Sequence, residues 1–193
     1  MRPAFLKVFK PKLAIAASLG FLCIFFLAKN LSAKATLTKN MAAYVWVYNK
    51  IHHTNPSANS EYLANIIVGT SRRLLNNDYK TGTCILKVES DFRIDVIGDD
   101  GVSSGISQIQ LGSAKDSCVF LGLKDCSMHH IRHLISIPKY NILLSFGYLK
   151  FLIDRYHNTN KAVEAYNIGV LFIDNGGRNI AYLSKVQACV RQR

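Results

Sequence analysis

Cys84-Ile85-Leu86-Lys87-Val88-Glu89-Ser90-Asp91-Phe92 changes character partway along. Residues 81–89 read as a short apolar helix that ends in Val88-Glu89-Ser90. Residues 91–110 lose the helical period. Ile94, Val96 and Ile97 favour strands, Gly98-Asp99-Asp100-Gly101 is a turn sequence, and Ile106-Ser107-Gln108-Ile109-Gln110 alternates apolar with polar. This predicts a small β-hairpin or an irregular three-strand patch. An acid therefore sits where a buried helix meets a small sheet.

Helices are predicted on both sides. Residues 38–52 carry Met41, Tyr44, Val45 and Tyr48 at helical spacing, and the loop from His53 to Ser57 breaks them. Residues 60–76 follow, with Ser60 as N-cap and Leu63, Ile66, Ile67, Leu74 and Leu75 on one side. Helical pieces are expected over 113–135. Pro138 opens the longest helix, 138–157, whose apolar residues on most faces mark it as central and buried. Thr159 or Asn160 caps the next helix, which ends at Gly169. Gly176-Gly177 leads to a last helix over 178–190. The fold class is α+β, mostly helical, with the β patch beside the acid.

Residues 1–35 read as an address rather than fold. Arg2, Lys7, Lys10 and Lys12 precede the uncharged apolar run 13–28, and Ala33-Lys34-Ala35 offers small residues for a signal peptidase. The run is short for a spanning helix, which needs about 20 residues. The alternative is an uncleaved signal anchor, with the basic end in the cytoplasm. Both predict export to the periplasm or cell envelope, either free or anchored at the inner membrane. Residues 36–193 then form one compact domain.

The net charge of the chain is +12; residues 1–35 hold six cations and no acid, so the remainder carries +6. That suits an anionic partner, and export disfavours nucleic acid. Beyond the address the cysteines are Cys84, Cys118, Cys126 and Cys189, which allow two disulfides in three connectivities. The favoured pairs are Cys118–Cys126 and Cys84–Cys189. Zinc with His129, His130 or His133 is the rival, weakened by the lack of a Cys-x-x-Cys pair. Free thiols are the plain alternative.

Four segments carry a family resemblance: Val88-Glu89-Ser90-Asp91-Phe92, Gly105-Ile106-Ser107-Gln108-Ile109, Pro138 to Leu149 with Asn141-Ile142 and Gly147-Tyr148-Leu149, and Ala165-Tyr166-Asn167-Ile168-Gly169. In this order they resemble the lytic transglycosylases over residues 80–186. The resemblance implies a lysozyme-like fold and cleavage of peptidoglycan between N-acetylmuramic acid and N-acetylglucosamine. Glu89 would act first as acid and then as base, leaving a 1,6-anhydromuramic end. It further implies that Gln108 contacts sugar, Tyr166 hydrogen-bonds near Glu89 and orients it, Asn167 supports the same wall, and Ser90 holds the helix end. No metal or organic cofactor is implied. The small size resembles members that accompany secretion, conjugation or pilus machines.

Physical reasoning supports an acid at this place. Protonating a glycosidic oxygen near neutral pH needs a carboxyl shielded from water. Two-carboxylate glycosidases also need a partner acid, and Val102, Ser103 and Ser104 ahead of Gly105 supply none. Asp99 and Asp100 keep a hydrolase open as the alternative, and a non-catalytic wall-binding protein is another. The chain departs from the family pattern at Ile168, Val170, Ser103 and Arg178-Asn179, which precede Tyr182 where Glu-Thr is usual.

Overall fold

The computed structural model describes residue 36 and residues 38–98 and 101–192. The export address at 1–35 and the pair Asp99 and Asp100 lie outside the described residues. The chain divides into two units, Met1–Ala42 and Ala43–Arg193. In the first, residues 38–42 are helical. Among the described residues no helix is long and apolar enough to cross a membrane.

The second unit is a mostly helical α+β domain. It begins with α1 (43–54), which buries Ala43, Val47 and Ile51, one residue per turn. This stripe is rotated from the predicted one, since Val45 is exposed and Tyr44 and Tyr48 are half-buried. The next two helices are α2 (Ser60–Leu74) and α3 (Tyr79–Ser90). The N-cap of α2 is Asn59, whose Oδ1 accepts from Tyr62 N, rather than Ser60. Both types cap well, and the chain uses the one that reaches the third amide on. Asp78 caps α3 in the same way, and Asp91 closes it in the left-handed region at φ 50°.

The sheet consists of β1 (Ile97–Gly98), β2 (Ser103–Ser104) and β3 (Ile109–Gln110), antiparallel and in chain order. Ile97 pairs with Ser104, and Ser103 pairs with Gln110. Then come α4 (Leu111–Phe120), α5 (Met128–Ile135), α6 (Pro138–Tyr156), α7 (Thr159–Ile168), α8 (Val170–Asp174) and α9 (Ile180–Arg191). The sequence does not signal α8 as separate from its neighbours. The cap of α7 is Asn158, not Thr159 or Asn160.

Central α6 starts at its proline and packs against α2, α4, α5 and α7. Its Ile142, Leu144, Phe146, Leu149 and Leu152 are fully or almost fully buried. Gly147 lets α4 come close: a Cβ there would lie 2.3 Å from Ser117 Oγ. The disulfides are Cys84–Cys189, which joins α3 to α9, and Cys118–Cys126, which closes the loop after α4.

One buried amide ties the sheet to α6. Asn141 Oδ1 accepts from Ser107 N at 3.1 Å and Ser107 Oγ at 2.6 Å. Its Nδ2 donates to Ser104 O and Ile135 O, both at 2.9 Å. All four of its hydrogen-bonding positions are satisfied away from water. Gly105 sits against it at φ +72°, where a Cβ would meet Asn141 Nδ2 at 2.5 Å. No side chain fits that turn without pushing the amide aside.

Candidate active site

Glu89 is half-buried in the last turn of α3. Its neighbour Ser90 is buried and donates through Oγ to Ile106 O at 2.7 Å, which fixes the helix end to the β patch. Glu89 faces a cleft of about 350 Å³ between the sheet and α6–α7, lined also by Ser103, Gln108, Tyr148, Tyr166 and Asn167. Among the described residues Glu89 is the single carboxylate in that lining.

The phenol that meets Glu89 comes from α9. Tyr182, buried, donates through its hydroxyl to Glu89 Oε1 at 2.5 Å. Burial first, and the negative charge of Glu89 second, push the Tyr182 hydroxyl well above its ordinary value. It therefore keeps its proton and is the donor in this bond. The expected orienting residue, Tyr166, is engaged elsewhere. Its hydroxyl donates to Ser107 O at 3.1 Å and shares a 2.8 Å bond with Ser145 Oγ. Tyr166 still feels Glu89: burial and then that charge raise its hydroxyl. Its ring lies 5.9 Å from that of buried Tyr148.

The other sequence-selected residues are placed as follows. Gln108 lines the cleft at φ 48°, and its amide nitrogen donates to Val96 O at 2.9 Å and Gly105 O at 2.8 Å. Both amide hydrogens thus hold the β patch together, which leaves it no free N–H for a sugar. Asn167 is exposed on the lip, and its Oδ1 accepts from Asn179 Nδ2 at 2.7 Å. Ile168 lines the same lip.

Asn179 links this lip to Tyr182. Its Oδ1 caps α9 by accepting from Tyr182 N at 3.1 Å, and its own N donates to Glu164 Oε2 at 2.7 Å. Glu164, buried in α7, also takes a two-pronged contact from Arg178, with Nη2 to Oε1 at 2.8 Å and Nε to Oε2 at 2.9 Å. The Arg178 bonds hold the Glu164 carboxyl below its ordinary value, against the opposing effect of burial. A chain of contacts thus runs from Glu164 through Asn179 to the start of α9, and on to Tyr182 and Glu89. Tyr182 and Glu164 are the residues that sequence reasoning misses. Arg178-Asn179 departs from the family pattern, but nothing in the sequence joins it to Glu164, which is 14 residues away.

Two results are expected here. Tyr182→Phe removes a hydrogen bond to a charged group, worth about 1.5–3 kcal/mol. Turnover on cell-wall substrate should fall by about ten- to a hundredfold, and the melting temperature by about 3–10 °C with the fold retained. A variant with wild-type rates would mean that this bond does not hold the acid. The second concerns pH. Glu164 has a depressed folded value, so its stabilisation is full above the ordinary 4.5 and is lost as pH falls through the folded value. Melting temperature should therefore drop below about pH 4.5 in the wild type. The drop should be shallower in Glu164→Gln. Identical acid limbs for the two proteins would exclude Glu164 as their source.

None of the curated proteins matches the chain. The family described as Transglycosylase SLT domain matches residues 70–183, from late α2 to the first turn of α9. That span takes in Glu89, the sheet, the Asn141 amide, Tyr166, Asn167 and Tyr182. With more than half its length matched and an acid-bearing cleft of lysozyme-like build, this chain belongs to the Transglycosylase SLT domain family, the peptidoglycan lytic transglycosylases.

Proposed function

We propose that the enzyme cuts the β-1,4 bond between N-acetylmuramic acid and N-acetylglucosamine, with Glu89 as its one acid and base. The single observation behind this reading is that, among the described residues, Glu89 is the one carboxylate lining the cleft and is held by the Tyr182 phenol. Glu89 gives its proton to the bridging oxygen as the bond to the muramic anomeric carbon breaks. The acetamido group of the substrate supports the positive centre that results. Glu89 then takes the proton of the muramic 6-hydroxyl, whose oxygen attacks the anomeric carbon of the same sugar. The proton balance closes on Glu89 without water, and the product is a 1,6-anhydromuramic end.

Among the described residues no second carboxylate lines the cleft. Ser103, Gln108, Ser113, Tyr148 and Tyr166 give it a polar but uncharged wall. Hydrolysis by a second acid would have to come from Asp99 or Asp100. Mass spectrometry of products from purified peptidoglycan tests the reading. Anhydromuramic ends are expected. Reducing ends would overturn it in favour of the hydrolase, and a folded protein that yields no product would favour a wall-binding role.

The enzyme acts on peptidoglycan outside the cytoplasm, and its two disulfides agree with export. Residues 1–35 are assigned as a signal or an anchor on their basic start and apolar run. Residues 36–193 are then the working domain. By resemblance to specialised members of the family, its role would be to open the wall locally for a secretion, conjugation or pilus apparatus.

A further inference from the structure

A second pocket, of about 370 Å³, is lined by Trp46, Lys50 and His53 of α1, Lys87 of α3, and Gln192. It shares no lining residue with the catalytic cleft. Lys87 and Glu89 are two residues apart on one helix, so they point about 200° apart around its axis. The two concavities therefore lie on opposite sides of α3.

The pocket is built rather than a chance gathering of surface lysines. Lys50 Nζ lies 5.1 Å from the centre of the Trp46 ring, and Lys80 Nζ lies 5.3 Å from it. Trp46 packs edge-on against Tyr79, with ring centres 5.7 Å apart. Lys50 Nζ also donates to Gln192 Oε1 at 3.1 Å. Cys84–Cys189 holds the two helices that carry Lys87 and lead to Gln192. Lys87 pairs with Asp91 at 3.1 Å. Among the described residues neither Lys50 nor Lys80 has a carboxylate within 4.0 Å. Burial first, then Lys87 and Lys80, push the Lys50 ammonium below its ordinary value, the expected result of crowded like charges.

The catalytic cleft offers the reverse. No lysine or arginine is found among its described lining residues. Its substrate bears peptide stems with free carboxylates, and the cleft gives these no cation. We propose that the pocket behind α3 is a second, non-catalytic peptidoglycan site that takes the carboxylates of a peptide stem. This rests on peptidoglycan as substrate and not on the Glu89 chemistry. Phosphate recognition favours bidentate arginine or a nest of backbone amides. Here separate ammonium groups ring an indole, which fits a flexible chain with several spaced carboxylates and an apolar backbone to lie on the ring. The concave form also disfavours a flat membrane surface.

Trp46 is the single tryptophan of the chain, so its fluorescence reports on this pocket. The experiment titrates full-length protein carrying Glu89→Gln with a disaccharide-tetrapeptide, the same disaccharide without peptide, inorganic phosphate, and vesicles of anionic phospholipid. A saturable change is expected with the peptide-bearing fragment alone. It should weaken about tenfold when Lys50→Gln and Lys87→Gln are added, and be retained with Lys50→Arg and Lys87→Arg. No response, an equal response without the peptide, or one that survives the double glutamine change would overturn the proposal. An equal response to phosphate or vesicles would overturn it in favour of a phosphate or membrane site. Wild-type protein is run in parallel on whole peptidoglycan. If it releases anhydromuramic products while Trp46 stays silent, only the second site fails.

Discussion

Glu89→Gln lowers the rate of glycan-strand cleavage by about 10²- to 10⁴-fold while the fold persists. The amide keeps the size of the carboxyl, and its carbonyl oxygen can still accept from Tyr182, which now lies 2.5 Å from Glu89 Oε1. What it loses is the proton that the proposed mechanism delivers to the leaving oxygen. Among the described residues no other carboxylate lines the cleft to supply one. The effect should therefore fall on turnover, with substrate binding nearly unchanged. Release of soluble fragments from peptidoglycan, measured beside circular dichroism, checks both halves of the claim. A folded Glu89→Gln protein within about tenfold of wild type would remove Glu89 from the chemistry. Tyr182→Phe gives a useful comparison, because it loses only the steadying bond.

The second large effect is on stability. Cys84 and Cys189 are 105 residues apart, and closing a loop of that size stabilises by about 4–5 kcal/mol through the unfolded chain. Replacing both by serine should lower the melting temperature by about 10–20 °C. The pair Cys118–Cys126, separated by 8 residues, should matter less, near 2.5 kcal/mol by the same relation. Scanning calorimetry of the two double variants decides the order. Equal shifts would show that strain or residual structure, and not loop length, sets the effect. The Cys84–Cys189 change should also cost activity, because α3 carries Glu89 and α9 carries Tyr182.

The fold was largely legible because its strongest signals are local. Pro138 and the long apolar run that follows mark α6, and the switch to alternation at Ile106–Gln110 marks the sheet. Caps were harder, since Asn59 competes with Ser60, and Asn158 with Thr159 and Asn160, at neighbouring positions. Helix α8 was lost because five residues leave too short a period to read. In the site, Glu89 stood out through the four ordered motifs of the family resemblance, since an acid at the end of an apolar helix is by itself more often an exposed residue. The partnership with Tyr182 did not, for a contact across 93 residues leaves no pattern in either neighbourhood. Gln108 shows the same limit. The family resemblance assigns it to sugar and it lines the cleft, but no local pattern announces that its amide nitrogen also donates to Val96 O and Gly105 O. The ion pair of Glu164 with Arg178 reads as two unrelated charges until α7 and α9 are brought together.

The bond from Tyr182 to Glu89 also has a consequence in time. At roughly 5–20 residues per second, the ribosome needs about 5–20 s to pass from the codon of the acid to that of its donor. Throughout that interval the acid-bearing half of the cleft exists without the helix that steadies it. A nascent chain is thus an unarmed one until α9 has been made and has folded back onto α3.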